Sequence, residues 1–189
     1  AQAGGTAIKL VRNGSRGMYW LEPLVEVEVA GRRHAYGPVK ARDVAGLFEA
    51  NFLNAGQHPL ALGETENLAW LRNQERLTFQ RVGVTDPLSL SDYQAHDGVS
   101  GLRAALAMAP ADIIKAVTDS GLRGRGGAAF PTGIKWKTVA EAAGTQKYIV
   151  CNADEGDSGT FADRMLMEGD PLLLIEGMTI AGLAVGATQ

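Results

Sequence analysis

Residues 121–136 read GLRGRGGAAFPTGIKW. Glycine stands at positions 121, 124, 126, 127 and 133. No regular element runs through that spacing, because each glycine costs a helix about 1 kcal/mol against alanine. The stretch is a loop, and the elements on either side must anchor it. Arg123, Arg125 and Lys135 set three cations beside it. Bare backbone lets N–H groups approach an anion or a flat ring closely. A helix from about Ile134 points its positive N-terminal end back at the loop. The bland alternative is a mobile surface loop whose glycines serve only turns.

Two familiar phosphate loops are excluded by context. Gly124-x-Gly126-x-x-Ala129 matches a relaxed dinucleotide fingerprint, but that fingerprint follows a strand, and here a helix precedes it. Gly133-Ile134-Lys135-Trp136 lacks the Ser or Thr that follows the lysine of a Walker loop. The anion-binding physics stands without either pattern.

Composition narrows the remaining classes. The chain has 189 residues, of which 46% are hydrophobic, enough for a buried core in one large or two small domains. A net charge of -3 argues against a nucleic-acid binder driven by bulk charge. The single cysteine, Cys151, excludes a disulfide framework and any cluster or zinc site built wholly from these residues. It fits a reducing, cytoplasmic setting. No signal-peptide pattern opens the chain. The most apolar stretch, PLLLIEGMTIAGLAVGA, contains Glu176 and reads as a buried core helix rather than a membrane span. Both ends read as cut: AGGTAIKLV is a strand entered mid-fold, and GLAVGATQ stops just after a helix.

Periodicity divides the chain in two. AIKLV and LVEVEVA have strand character, the second with period two from Leu24 to Val29. Gly31-Arg32-Arg33 turns the chain into HAYGPV, a short or edge strand. VKARDVAGLFEANFL has helical spacing at Val44, Leu47, Phe48 and Phe52. NAGQHPLALGE reads as a linker. Beyond it, LTFQRVG reads as a strand, with a turn at Asp86-Pro87. DYQAHDGVSGLRAALAMA reads as helix after a turn at Asp97-Gly98. Pro110 opens a helix with Ile113, Ile114 and Val117 inward and Gly121 as its stop. Thr132 is the expected N-cap of GIKWKTVAEAA. KYIVC reads as a short buried strand, and Asp170-Pro171 starts the last helix.

The strand KYIVC runs into Asn152-Ala153-Asp154-Glu155-Gly156-Asp157. Ligands of α/β folds gather at the carboxyl ends of strands. Carboxylates this dense repel in a closed site unless they hold hydroxyls, amides or a metal. An Asp or Glu so placed commonly accepts from ribose or ribityl hydroxyls. In isolation the segment also reads as a solvated acidic turn, and magnesium binding lacks a distinctive spacing.

Taken together, GRGGAAFPTGIKW and YIVCNADEGDSGTFADR resemble the family of flavin-bearing, NADH-oxidising subunits of respiratory complex I. The family includes diaphorase subunits of NAD-reducing hydrogenases and β subunits of soluble NAD-dependent formate dehydrogenases. The similarity covers about residues 68–189. It implies an α/β fold of a non-classical, complex I type that binds FMN and NAD(H) together. Carried over, Gly124, Arg125, Gly126, Gly127 and Gly133 wrap the nucleotides, with Lys135 on the FMN phosphate side. Phe130 stacks on the NAD adenine. Asn152, Asp154 and Glu155 hold FMN, and Asp157 faces the nicotinamide nucleotide. Asp157-Ser158 and Thr138 depart from the complex I pattern, and the Gly-Asp-Ser-Gly version is more similar to the soluble branch. The resemblance also implies a [4Fe–4S] cluster on residues outside this sequence.

Near the start, Ser15-Arg16-Gly17-Met18-Tyr19-Trp20-Leu21-Glu22-Pro23 is similar to the C-x-G-x-C-x-x-x-P stretch of the thioredoxin-like subunit that carries a [2Fe–2S] cluster. Ser15 and Tyr19 occupy the cysteine positions, and neither is a normal ligand. Residues 1–53 thus read as the C-terminal part of a thioredoxin-like α+β domain with a degenerate cluster site. Residues 54–67 are the linker, and 68–189 the FMN/NAD(H)-binding domain.

The expected function is an NAD-dependent oxidoreductase subunit: hydride exchange between NAD(H) and FMN, then single-electron exchange with iron–sulfur clusters. No side chain is expected to act as acid or base, because the flavin carries the chemistry. A soluble formate dehydrogenase is the favoured setting and an NAD-reducing hydrogenase or complex I the alternative. Expected partners are NAD(H), a thioredoxin-like [2Fe–2S] subunit and a catalytic dehydrogenase or hydrogenase subunit, with no nucleic acid and no membrane insertion. A non-catalytic nucleotide-binding or docking module is the alternative of another class. His34, His58 and His96 form no metal-ligand pattern. Cys151 reads as core, Trp20 and Trp70 as packing residues, Trp136 as packing beneath the loop, and Arg164 as an ion-pair residue.

Overall fold

Backbone pairing, rather than apolar content, decides which of the expected strands form. The structure, a computed structural model, describes residues 2–3 and 6–189. In chain order the strands are β1 (Gln2–Ala3), β2 (Thr6–Ala7), β3 (Val25–Val29), β4 (Arg32–Tyr36) and β5 (Ala61–Glu64). The helices are α1 (Val44–Glu49), α2 (Ala69–Arg72), α3 (Leu90–Ala95), α4 (Ser100–Leu106), α5 (Pro110–Asp119), α6 (Thr132–Glu141), α7 (Ala162–Gly169) and α8 (Pro171–Val185). The chain forms two compact units, one of Ser15–Gln80 and one of the residues up to Gly14 together with Arg81–Gln189. These bounds differ from the expected 1–53, 54–67 and 68–189.

In the unit Ser15–Gln80, β3 and β4 form an antiparallel hairpin with Val29 opposite Arg32 and Val25 opposite Tyr36. Ala30 and Gly31 both take positive φ at its turn, the geometry that a two-residue hairpin needs. The expected turn lay one residue later. Part of the expected linker is β5, which pairs with β4 and makes the expected edge strand the centre of a three-stranded sheet. Val25 and Val27 lie against a core of Tyr36, Val39, Leu47 and Phe52. The expected long helix is broken, because Asn51 sits in the left-handed region between α1 and a 3₁₀ turn at Phe52–Asn54. Arg16 is buried and held by both oxygens of Glu26, at 2.6 and 3.0 Å, and by Glu66 at 3.0 Å. Ser15 Oγ donates to Glu22 at 2.5 Å, and Tyr19 is exposed. Trp20 and Trp70 form an edge-to-face pair at 5.3 Å, half exposed rather than buried.

In the other unit, β1 pairs antiparallel with β2. Gly4 and Gly5, within the strand expected across AGGTAIKLV, lie outside the described residues, and residues 8–18 carry no regular element. Its core gathers Ala105, Ile113, Ala184 and Val185, flanked by Ile114, Trp136, Ile149 and Ile180. The helix α8 is central and packs against α4, α5, α6 and α7. Asp170 caps it by accepting from Leu173 N–H, Pro171 occupies its first turn, and Gly186 ends it at φ +72°. Among the described residues no helix is long and apolar enough to cross a membrane.

Two expected strands do not form. Residues 77–85 fold into successive turns, with Val84 and Thr85 N–H both donating to Arg81 O. The backbone of KYIVC bonds residues 188–189, through Ile149 N–H to Gln189 O at 2.9 Å and Thr188 N–H to Lys147 O at 3.3 Å. Ile149 packs inward, but Tyr148, Val150 and Cys151 are exposed. A strand exists only where a neighbour completes its ladder, and two bonds at one end do not make one.

Candidate functional site

The glycine loop joins α5 to α6. Proline at the first helical position of α5 suits a site whose N–H has no helical partner. The helix ends as expected at Gly121, φ +69°. Helix α6 begins one residue earlier than expected: Thr132 is its first residue, and Pro131 flanks it without a side-chain cap.

Three hydrogen bonds staple the base of the loop. Thr132 N–H donates to Leu122 O at 2.9 Å, and Gly124 N–H donates to Phe130 O at 2.8 Å. The Arg123 guanidinium donates to Ala129 O at 2.8 Å, which spends that cation on the loop itself. Residues 125–128 remain as a short arc. A Cβ added at Gly126 or Gly127 would meet nothing within 4 Å, and Gly127 sits at φ +96°, where other residues are strained. Packing does not account for the bare backbone of that arc. Its surroundings are cationic and aromatic: Arg125 and Lys135 are exposed, and Phe130 is half exposed. The ammonium of Lys135 leans over Gly124, 2.7 Å from where a Cβ would stand. Arg125 and Lys135 form no ion pair with another described residue.

Gly133 has a different task. It is buried, and a Cβ there would overlap the Thr118 hydroxyl and lie 2.8 Å from Thr118 Cα. It serves the approach of α6 to α5. Trp136 packs into the helical core rather than beneath the loop. Thr138 turns its hydroxyl onto Ile134 O of its own helix, at 2.9 Å.

The acidic segment follows KYIVC as an irregular loop. Asn152 Oδ1 accepts from Asp154 N–H at 3.3 Å. Glu155, at φ +49°, accepts from Asp163 N–H at 3.0 Å and Arg164 N–H at 3.2 Å, so its carboxylate caps α7. Asp154 and Asp157 have exposed side chains. The hydroxyl and N–H of Thr160 both donate to Asp157 O. Arg164 pairs with Glu168 at 2.9 Å, as expected. The two candidate clusters thus differ: the glycine arc keeps its cations unpaired, and the acidic loop commits Glu155 to its own helix.

Sequence reasoning missed a buried polar network. Glu176 of α8 accepts from the Tyr93 hydroxyl at 2.5 Å and from Val99 and Leu102 N–H, each at 2.8 Å. Arg81 lies 4.7 Å from the centre of the Tyr93 ring and pairs with buried Asp170 at 2.9 Å. Burial pushes the Glu176 carboxyl up, but the bonds from Tyr93, Leu102 and Val99 and the charge of Arg81 outweigh it and hold the group below its ordinary value. Burial and the Glu176 carboxylate push the Tyr93 hydroxyl far above its own. The available signal was one carboxylate inside an otherwise apolar helix, which names no partners.

These features suit an anionic ligand with a flat ring: bare backbone, two unpaired cations and an exposed aromatic ring. The comparisons point the same way. Residues 117–189 match the family model described as the Nuo51 FMN-binding domain. The NADP-reducing hydrogenase subunit HndC of Solidesulfovibrio fructosivorans is 50% identical over 118 residues, 62% of this chain and 24% of that protein. An NADH-quinone oxidoreductase subunit of Rhizobium meliloti is 51% identical over 114 residues, 60% of this chain and 27% of that protein. The alpha subunit of the NAD-reducing hydrogenase HoxS of Cupriavidus necator is 48% identical over 84 residues, 44% of this chain and 14% of that protein. The chain spans about a quarter of the length of the first two. A crystal structure of an NAD+-reducing [NiFe]-hydrogenase in the H2-reduced state aligns with 82% of this chain and 25% of its own, at 32% identity. The TM-score of that alignment is 0.46.

Proposed function

We propose that the chain, whose residues 117–189 match the family model described as the Nuo51 FMN-binding domain, is part of a flavoprotein subunit moving electrons between NAD(H) and iron–sulfur clusters. The observation that carries the reading is the open arc at Gly126 and Gly127, bare where no packing requires it, beside the unpaired cations Arg125 and Lys135.

When bound, FMN supplies the exchange between a two-electron hydride donor and one-electron carriers. Lys135 and Arg125 would neutralise its phosphate, and the bare backbone of Gly124–Gly127 would offer a close approach to the nucleotide. Asn152 and Asp154 offer acceptors to the ribityl hydroxyls, with Glu155 fixing the bend of their loop. Phe130 provides an exposed face for the adenine of the nicotinamide nucleotide, and Asp157 faces that same ligand. No side chain is asked to move a proton.

The favoured whole is the β subunit of a soluble NAD-dependent formate dehydrogenase, on the strength of Gly156-Asp157-Ser158-Gly159. The hydrogenase subunits among the relatives support an NAD-reducing hydrogenase as the second reading. In either setting residues 1–53 would be a thioredoxin-like remnant whose former cluster positions, Ser15 and Tyr19, leave it to dock other subunits.

An anaerobic NADH titration of the purified protein, reconstituted with FMN, tests the proposal. Bleaching of the oxidised-flavin band at one equivalent is expected. A flavin band that NADH leaves intact would remove NAD(H) from the reading. Failure to retain FMN would overturn the flavoprotein and leave a docking module.

A further inference from the structure

We infer that Thr118, on α5, is a positioning residue for the flavin loop and that Gly133 serves the same loop through it, neither touching the ligand. The inference rests on the reading above, that the arc 125–128 takes FMN.

The arc has no support of its own. Its base is a ladder between Leu122–Gly124 and Phe130–Thr132, so its width and direction follow the ends of α5 and α6. Those two helices pack against each other. At Gly133 the backbone of α6 lies directly on Thr118, whose hydroxyl, Cα and Cβ fill the space a side chain would need, the Cα at 2.8 Å and the Cβ at 2.9 Å. Thr118 cannot easily turn away, because its hydroxyl donates to Ile114 O at 2.8 Å within α5. Gly133 carries an ordinary φ, so turn geometry does not explain it. Sequence patterning counts Gly133 with the other loop glycines. Spatially it differs from Gly126 and Gly127, which face open space. The loop therefore has two classes of glycine: those that clear room for a ligand and one that sets the distance between the stems. A stem shifted by a few tenths of an ångström moves the arc's N–H groups relative to Lys135, which leans over Gly124 from the first turn of α6.

The test is a set of FMN titrations, read by quenching of flavin fluorescence, on the purified protein and its variants, with thermal melts of each apoprotein. Gly133→Ala is expected to weaken FMN binding roughly tenfold to hundredfold by forcing the stems apart. Thr118→Ala frees the contact without crowding it, and is expected to weaken binding about threefold to tenfold with the apoprotein still folded. The combination is decisive. Gly133→Ala with Thr118→Ala should bind FMN more tightly than Gly133→Ala alone, because losing the hydroxyl relieves the closest overlap while the tight contacts with Cα and Cβ remain. Losses that simply multiply, or a Thr118→Ala protein that binds FMN as the parent does, would overturn the inference. If Gly133→Ala does not fold, Thr118→Ala alone decides it, joined by the visible circular dichroism of the bound flavin, which a shifted loop changes and a merely weaker fold does not. A parent protein that binds no FMN would sink the underlying reading instead, an outcome distinct from every one above.

Discussion

The glycine arc and the Glu176 network belong to the same helical unit and treat polar groups in opposite ways. Around Glu176 every partner is inside: Tyr93, Val99 and Leu102 donate to one buried carboxylate, and Arg81 is matched by Asp170. At the arc, Arg125 and Lys135 stay exposed and unpaired, and Gly126 and Gly127 face space that no side chain fills. A buried polar group must find its partner within the fold, because leaving it unmatched costs more than the bond contributes. A binding surface reverses the rule and keeps its partners for the ligand. The contrast separates residues that hold the fold from residues kept for function, and substitutions should separate them the same way.

The largest effect is expected at Glu176. Truncation to alanine strands the Tyr93 hydroxyl and two N–H groups in the interior, and should lower the unfolding free energy by about 3–5 kcal/mol. Glu176→Gln keeps an acceptor and should cost about half as much. Urea unfolding of the apoprotein gives both numbers. A Glu176→Ala midpoint equal to the parent's would erase the contrast from the structural side.

Next come the cations of the arc. Lys135→Ala and Arg125→Ala should each weaken FMN binding roughly tenfold to hundredfold, the worth of a charge-assisted contact to phosphate. Their apoproteins should unfold within about 0.5 kcal/mol of the parent, as exposed unpaired groups do. Flavin titration and urea unfolding of the same preparations provide both readings. A stability loss matching that of Glu176→Ala would show that these cations hold the fold after all.

Much of this division could be read from the sequence, and the exceptions have physical causes. Helix α5 announces itself by a proline at the start, a glycine at the end and regular apolar spacing, and α8 by Asp170-Pro171 at the start and a nearly continuous apolar run, all local signals. The loop 121–136 is legible for the same reason, since glycine restricts what a segment can be without reference to its neighbours. Four features were not local. KYIVC has the composition of a strand, but a ladder depends on a second segment that composition does not name. The sheet centre at β4 was hidden because its partner β5 lies in a stretch whose glycine and proline read as linker. Gly133 looks like its neighbours in sequence and is set apart only by Thr118, fifteen positions upstream. Glu176 was visible as an oddity, but the donors that justify it come from 74–83 residues away.

A smaller effect should appear in acid. Hydrogen bonds and Arg81 hold the Glu176 carboxyl below its ordinary value in the folded state. Its contribution is therefore complete above the unfolded-chain value of about 4.3 and drains away as pH falls through the folded value. The urea midpoint of the parent should fall as pH drops below the unfolded-chain value, and Glu176→Gln should flatten part of that limb. Lys135→Ala should leave the limb unchanged, since its cation faces no carboxylate. An acid limb identical in parent and Glu176→Gln would assign the loss to other carboxylates.

The smallest change in stability is also the sharpest test. Gly126 has nothing within 4 Å of where a Cβ would stand and does not sit at positive φ. Alanine therefore fits the folded chain without strain and removes freedom from the unfolded one, so Gly126→Ala should raise the apoprotein's stability by about 0.4–1 kcal/mol. On the proposed function the same methyl would stand where the nucleotide lies and should weaken FMN binding at least roughly tenfold. Gly127→Ala should weaken binding as well but lower stability, because φ +96° penalises any side chain. Opposite signs at adjacent glycines, with the same loss of flavin, can arise only if the arc is bare for the sake of a ligand. A Gly126→Ala protein that keeps its FMN affinity would mean that the glycines serve the turn alone.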